Sequence, residues 1–148
     1  MAKVLAINIS EKKGVPKKTI EKGYFAVHSG LEGDAHAGDW HRMVSLLGNE
    51  SIQKMKAMGL AELKFGDFAE NITTEGIVLY ELPVGTELKI GETQLKVTQI
   101  GKECHKGCAI RQKTGECIMP KEGVFAEILV SGWIKAGDTV EIMPEVKG

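Results

Sequence analysis

The sequence contains no apolar run of the roughly 18 residues that a membrane-spanning helix needs. Its first ten residues, MAKVLAINIS, alternate apolar and polar side chains and lack the longer apolar region and cleavage site of a signal peptide. Cysteine is scarce, and its count of three is odd, which makes a poor disulfide framework. We therefore expect a protein of the reducing cytoplasm with no membrane partner.

A strong net charge is also missing. The formal charge of -1 gives no general electrostatic attraction to nucleic acid, so we expect no nucleic-acid partner. A chain of 148 residues suffices for one hydrophobic core and is short for two. We interpret residues 1–148 as a single domain.

Short strands dominate the predicted secondary structure. The pattern of apolar and polar residues predicts strands at residues 3–10, 24–28, 87–90, 94–100, 124–130 and 139–143, and it is mostly strand-like from residue 68 onwards. A three-residue connection, GET, before residue 94 predicts a hairpin. Residues 49–58 are the one clear helix, because Asn49 can cap it and Gly59 follows as a stop signal. The lysine-rich residues 11–22 are interpreted as a solvated loop, with an anion-attracting rim as the alternative. The pattern predicts a mainly β fold, a strongly bent or closed β-barrel.

Chemistry concentrates in residues 101–117, GKECHKGCAIRQKTGEC, which hold all three cysteines. Lys102 and Lys106 lie two positions to either side of Cys104, and His105 follows it. In an extended segment both ammonium groups would lie roughly 6 to 7 Å from the sulfur. At an effective dielectric constant of about 20, each would favour the thiolate by about 2.5 kcal/mol. Cys104 is therefore an activated sulfur only if a sheltered pocket surrounds it.

Other interpretations of the same cysteines stay open. Cys104, His105, Cys108 and Cys117 offer a Cys₃His set for structural zinc, although their spacing is not a paired CxxC pattern. A turn at Gly107 would allow a disulfide between Cys104 and Cys108. Simple burial of the three thiols is a further alternative.

A second polar cluster lies in the glycine-rich loop near residue 34. Asp34, His36, Asp39 and His41 are candidate metal ligands, but hydrogen bonds around a tight turn are the alternative use of Asp34 and His36. Arg42 could hold a phosphate through its planar guanidinium group or pair with a neighbouring acid such as Asp39.

The segment FAENITTEG places polar side chains in a half-buried setting. Glu70, Asn71, Thr73 and Thr74 would need partners there, so they either tie loops together or present groups to a ligand.

Four segments, taken in order, resemble a known family. GLEGDAHAGDWHRMVSLL, GDFAENITTEG, LPVGTELKIGETQLKVTQIGKECHKGCAI and GVFAEILVSGWIKAGDTVEI are similar to the MOSC domain. This domain forms the C-terminus of eukaryotic molybdenum cofactor sulfurases and also occurs as small stand-alone bacterial proteins. The resemblance runs from about residue 3 to residue 142, nearly the full chain.

The resemblance implies a β-rich fold with a strongly bent or barrel-like sheet. It also implies one functional cysteine that carries sulfur or ligates the molybdenum of the pterin cofactor, molybdopterin, and Cys104 matches that position. Cys108 belongs to a CxxxCAI variant, which implies a helper or resolving role. The residues expected to contact the cofactor are Asp34, Arg42, Glu70, Asn71, Lys102, His105 and Cys108.

We expect no pyridoxal phosphate-dependent desulfurase domain, and hence no pyridoxal phosphate site, and no N-terminal extension of the kind that the molybdenum-dependent amidoxime reductases have. We therefore expect a molybdenum cofactor-binding or sulfur-carrier protein that serves client molybdoenzymes, with a cysteine desulfurase as sulfur donor. A molybdenum-dependent reductase of N-hydroxylated compounds and a non-catalytic, zinc-stabilised binding module are the alternatives. Whether the chain catalyses a reaction, and its oligomeric state, stay open.

Overall fold

The computed structural model describes residues 2–12, 17–35, 37–38, 43–57, 64–66, 70–101 and 122–143. This part of the chain contains eleven strands, one α-helix and one 3₁₀ turn. The strands are β1 (Lys3–Ile9), β2 (Lys18–Ile20), β3 (Lys22–Ala26), β4 (Gly30–Leu31), β5 (Val44–Gly48), β6 (Ile72–Glu75), β7 (Glu87–Ile90), β8 (Thr93–Ile100), β9 (Val124–Val130), β10 (Gly132–Lys135) and β11 (Val140–Ile142). The helix α1 is Asn49–Ala57, and the 3₁₀ turn is Leu79–Glu81.

The strands form two sheets. The larger has eight strands in the order β11-β7-β8-β9-β5-β6-β1-β2, and the smaller has three in the order β10-β3-β4. Neighbours in the larger sheet are antiparallel except β5 and β6, which are parallel. A parallel pair needs a crossover connection, and α1 lies in the chain between these two strands.

The large sheet is strongly bent. Its β11 end returns to β1, where the amide of Val4 donates to the carbonyl of Asp138 at 2.8 Å and an isolated bridge joins Lys3 to Thr139. This contact does not extend into a continuous ladder in the described residues, so the sheet is bent and not closed. The mainly β prediction is confirmed in its strongly bent form, and the closed barrel is not what forms.

The core lies on the concave side of this sheet, where side chains from both sheets meet. Strand β5 is buried at all five residues, flanked by β9 and β6. The small sheet contributes Phe25, Leu31 and Ile134 to the same core. Burial on both faces explains why β5 shows no alternation of apolar and polar residues, with Ser45 as its one buried polar side chain, whereas β7 and β10 alternate buried and more exposed residues.

The predicted helix and the six predicted strands each match an observed element, with bounds that differ by at most two residues. Strands β2, β4 and β5 lie where no strand was predicted, and β6 and β10 were not predicted with bounds. The helix is confirmed over Asn49–Ala57, where Ile52 and Met55 are buried, and Met58 lies outside the described residues. Two further differences concern the hairpin connection and the lysine-rich loop. The hairpin connection is two residues, 91–92, because Thr93 already pairs with Ile90. Gly91 has φ +56°, the positive value that a tight two-residue turn requires at its first position.

The second difference is in the lysine-rich loop at residues 11–22. It contains strand β2, which pairs with β1, and it places Lys17 in the interior at 4% exposure. The solvated interpretation is therefore wrong for Lys17, and strand β2 replaces the predicted loop at residues 18–20, where Lys18 and Thr19 are nevertheless exposed. The described part contains no helix long and apolar enough to cross a membrane.

The position of Leu46 yields a stability prediction. Leu46 is fully buried and pairs with Val124 on one side and Ile72 on the other. We expect Leu46→Ala to lower the free energy of unfolding by about 2–5 kcal/mol, because it removes buried methyl groups and leaves a cavity. Urea unfolding followed by circular dichroism measures the change.

The matched control is Leu129→Ala, the same chemical change at a residue that is 38% exposed. We expect it to cost clearly less, since less area is lost and water can fill the space. Equal losses for the two variants would contradict the placement of the core.

Candidate functional site

A buried ion pair lies at the carboxyl end of β1. Lys17 Nζ is 2.6 Å from Asp34 Oδ1, and the two side chains are 0% and 1% exposed. The amide of Ser10 donates to the same carboxylate oxygen at 3.1 Å, and Lys17 Nζ lies 3.5 Å from Ser10 Oγ. The pair thus fastens the loop after β4 to the segment before β2.

Electrostatics keep Asp34 ionised. Burial alone would raise the pKa of its carboxyl, but hydrogen bonds from Lys17, Ser10 and Asn71, together with the Lys17 charge, outweigh burial and hold the pKa below its usual value. The interior therefore holds a carboxylate and an ammonium group as a charged pair. A buried pair of this kind is costly to break, because the remaining partner keeps its charge without compensation.

Asn71 joins three strands beside this pair. Its side-chain Oδ1 accepts from the amide of Ser45 at 3.0 Å, and its own amide donates to Ser45 Oγ at 3.0 Å. Its Nδ2 donates to the carbonyl of Asn8 at 3.3 Å, and the amide of Asn8 donates back to the carbonyl of Asn71 at 2.8 Å. Asn71 thus ties the start of β6 to both β1 and β5.

Glu70 extends the same network. It is fully buried, and its Oε2 accepts from the hydroxyl of Thr73 at 2.8 Å and from the amide of Gly66 at 3.1 Å. Asn8 Nδ2 donates to Thr73 Oγ1 at 3.0 Å, and Asn8 Oδ1 accepts from Thr19 Oγ1 at 2.8 Å. One connected set of polar side chains therefore runs from β2 to Glu70.

The structure thus brings together three of the predicted site residues, Asp34, Glu70 and Asn71. In the described residues all three tie loops and strands together, which is one of the two uses the sequence left open. Their contact with a cofactor stays a prediction. The sequence interpretation missed Lys17, Asn8 and Ser45; only Asn8 left a signal, as a polar residue on the strand face that it shares with Val4 and Ala6.

The remaining predicted residues lie outside the described part: Arg42, Lys102, Cys104, His105 and Cys108, and with them His36, Asp39, His41 and Cys117. The activated cysteine, the disulfide, the zinc site and the loop metal cluster therefore stay predictions. Among the residues that the structure does describe, no group of three or more His, Cys, Asp or Glu side chains is arranged to hold a metal ion.

The structure does fix where the cysteine segment attaches. The amide of Gly101 donates to the carbonyl of Gly123 at 2.6 Å, directly beyond the paired residues Ile100 and Val124. The two ends of the segment that connects β8 to β9, Gly101 and Gly123, therefore lie side by side at the end of this strand pair.

Helix α1 contacts Glu122, the residue that leads from the cysteine segment into β9. Glu122 Oε1 accepts from the hydroxyl of Ser51 at 2.6 Å, and its two carboxylate oxygens accept from Lys54 Nζ at 3.0 and 3.1 Å. The hydrogen bond with Glu122 raises the pKa of Lys54. The base of the cysteine segment is therefore anchored to both the sheet and the helix.

The network and this base lie toward opposite ends of β5. Ser45, which contacts Asn71, pairs with Phe125, whereas Leu46 pairs with Val124, and Gly123 lies one residue further along. A strand rises about 3.3 Å per residue, so the two features are separated by about 7 to 10 Å along the strand.

A family model, described as the MOSC domain, matches residues 32–141, more than half of the chain. The chain belongs to the MOSC domain family. The matched range includes every residue that the sequence resemblance assigned to the site, Cys104 among them. MOSC membership supports a role related to the molybdenum cofactor in the coarse sense.

Solved structures share the MOSC fold of this chain. The YuaD protein from Bacillus subtilis superposes with a TM-score of 0.80 at 15% identity, covering 99% of this chain and 98% of that one. YiiM from Geobacillus stearothermophilus gives 0.75 at 18% identity, covering 100% and 78%, and YiiM from Escherichia coli gives 0.70 at 18%, covering 99% and 72%. At these identities the likeness concerns the fold. No functionally curated protein matches the chain.

The buried ion pair gives a pH-dependent prediction. A lowered folded-state pKa means that Asp34 stabilises the fold above its ordinary pKa of 3.8, and that this contribution is lost as pH falls below 3.8 through the folded-state value. We expect Asp34→Asn to lower the free energy of unfolding at pH 7 by about 3–5 kcal/mol, since the Lys17 charge stays buried. Urea titrations at several pH values measure both effects.

The control is the exposed pair between Lys3 and Glu75, 3.5 Å apart with side chains 51% and 40% exposed. Glu75→Gln should cost at most about 1 kcal/mol. If Asp34→Asn costs no more than Glu75→Gln, or keeps the full acid dependence of the wild type, the buried pair is not what holds this loop.

Proposed function

We propose that the protein binds the molybdenum cofactor or carries sulfur for it, with the Cys104 sulfur as the reactive atom. The observation that carries this proposal is the MOSC match over residues 32–141, which spans Cys104 and its flanking lysine and histidine. The anchored base at Gly101, Gly123 and Glu122 supports it, because a reactive segment needs fixed ends to be positioned.

The donor set fits a pterin cofactor that carries molybdenum. A cysteine thiolate is a soft ligand suited to a thiophilic metal, and an arginine guanidinium pairs with phosphate through two parallel hydrogen bonds. We assign the first role to Cys104 and the second to Arg42. When bound, the cofactor supplies a metal centre with which sulfur can bond.

Asp34, Glu70 and Asn71 then act mainly as positioning residues. Asp34 is held by Lys17, and its loop leads within the chain to Arg42. Asn71 fixes Ser45, three residues beyond Arg42, at the other end of that loop. The buried network therefore fastens the chain on both sides of the proposed phosphate contact.

Sulfur loading of Cys104 is a thiolate exchange. The Cys104 thiolate attacks the terminal sulfur of a persulfide on a donor such as a cysteine desulfurase. A new S–S bond forms on Cys104, while the S–S bond of the donor breaks and its cysteine leaves as a thiolate. No external oxidant or reductant is needed. The exchange requires the reducing compartment that we propose for the protein, the cytoplasm, where thiols stay free.

The test compares Cys104→Ser with Cys117→Ser after expression beside the molybdenum cofactor pathway. We expect the wild type and Cys117→Ser to carry molybdenum and pterin or cyanide-releasable sulfur, and Cys104→Ser to carry neither above background. Elemental analysis, pterin fluorescence and cyanolysis measure the three quantities. Circular dichroism confirms that both variants are folded.

If the two variants carry equal amounts of molybdenum, pterin and cyanide-releasable sulfur, Cys104 is not the reactive residue. One zinc per chain, lost together with the fold in both variants, would favour a zinc-stabilised binding module instead.

A further inference from the structure

A cleft of about 510 Å³ lies on the outer side of the small sheet. Its lining residues are Lys22, Gly91, Glu92, Trp133, Lys135 and Asp138. Volumes of a few hundred cubic ångströms are typical of small-molecule sites. The cleft lies at the Thr93 end of β8, whereas the cysteine segment attaches beyond Ile100, so the two places are separated by most of an eight-residue strand, about 25 Å.

The strand register places two like charges opposite each other in this cleft. In the antiparallel pair of β3 and β10, Lys22 is directly opposite Lys135, and Tyr24 is opposite Trp133. Like charges in directly opposed positions destabilise a sheet. Other outward lysines have acidic neighbours instead: Lys89 is opposite Glu141, and Lys96 is opposite both Glu87 and Glu127.

The two carboxylates of the cleft are engaged with the backbone. Glu92 Oε1 accepts from the amide of Trp133 at 3.1 Å, and Asp138 Oδ2 accepts from the amide of Lys135 at 2.9 Å. They balance the formal charge of the cleft, but within the described residues neither forms an ion pair with Lys22 or Lys135. Both ammonium groups therefore remain able to bind an incoming anion.

Trp133 supplies an aromatic surface beside these charges. It is 45% exposed, its ring centroid is 5.3 Å from that of Tyr24 in an edge-to-face arrangement, and Lys22 Nζ lies 5.0 Å from its centroid. An aromatic ligand ring that packs against the Trp133 indole would place its substituents close to the Lys22 ammonium group.

The wall of the cleft is already formed. A Cβ atom on Gly132 would lie 2.6 Å from Glu92 Cβ, and one on Gly91 would lie 2.9 Å from the carbonyl oxygen of Trp133. Glycine at both positions lets the turn pack directly on β10. Binding then requires little reordering of the backbone, which favours affinity.

We propose that this cleft is a second binding site, for a planar heteroaromatic ring that carries a phosphate group, with a nucleotide as its simplest example. The ring packs against the exposed part of Trp133 that the Lys22 ammonium group does not cover, and the phosphate lies between Lys22 and Lys135, where it removes their repulsion. The site is independent of Cys104, so its failure leaves the proposed function untouched.

The experiment titrates the purified protein with adenosine 5′-monophosphate by calorimetry, with adenosine and inorganic phosphate as the two half-ligands. We expect the nucleotide to bind more tightly than either half. Trp133→Ala and Lys135→Glu should each weaken it by about tenfold or more, since a hydrogen bond to a charged group or a stacked ring is lost. The matched control, Lys89→Glu, changes an outward strand lysine with an acidic partner and should leave binding unchanged.

Thermal stability separates this role from a structural one. Lys135→Glu places opposite charges across β3 and β10, so it should raise Tm without ligand while it weakens binding. The proposal is overturned if the nucleotide does not bind, if phosphate alone binds equally well, or if Lys89→Glu weakens binding as much as Lys135→Glu.

Discussion

The complete burial of β5 is the constraint on which the rest of the structure depends. A strand covered on both faces and paired on both edges leaves its polar neighbours no access to water, so each must find a partner in the protein. Asn71 meets this requirement by hydrogen bonds to Ser45 on one side and to Asn8 on the other. Because the partners belong to three different strands, satisfying them also fixes the relative positions of β1, β5 and β6.

The buried ion pair between Lys17 and Asp34 meets the same requirement in the loops, where each buried charged side chain has the other as its partner. Two charges in the interior cost free energy unless their geometry is good, and hydrophobic residues of similar size are often as stable. What the pair adds is directionality, since the carboxylate oxygen accepts from both Lys17 and the amide of Ser10. The loop after β4 is thereby held at a defined distance from the end of β1.

Local pattern was sufficient for the helix and for six of the strands. Alternation along β7, and the cap and stop signals of α1, act over a few residues and are visible in the sequence. The buried strand β5 was not predicted, because its residues do not alternate. Lys17 could not be found in this way, because a lysine-rich segment looks solvated and its partner lies seventeen residues away. Whether the bent sheet closes likewise depends on how close β11 comes to β1. The residue pattern of a single strand does not predict this distance. For the candidate site, the sequence identified Asp34, Glu70 and Asn71 as polar groups that need partners, but their partners are set by the packing of β1, β5 and β6.

The single hydrogen bond between Gly101 and Gly123 has an evolutionary consequence. The ends of the segment 102–121 are held side by side at Gly101 and Gly123. The entropy of closing a segment between two fixed ends changes slowly with the length of the segment. Insertions, deletions and new side chains can therefore accumulate there at little expense to folding. Substitutions in this connecting segment can therefore change its chemistry while β8 and β9 keep their register.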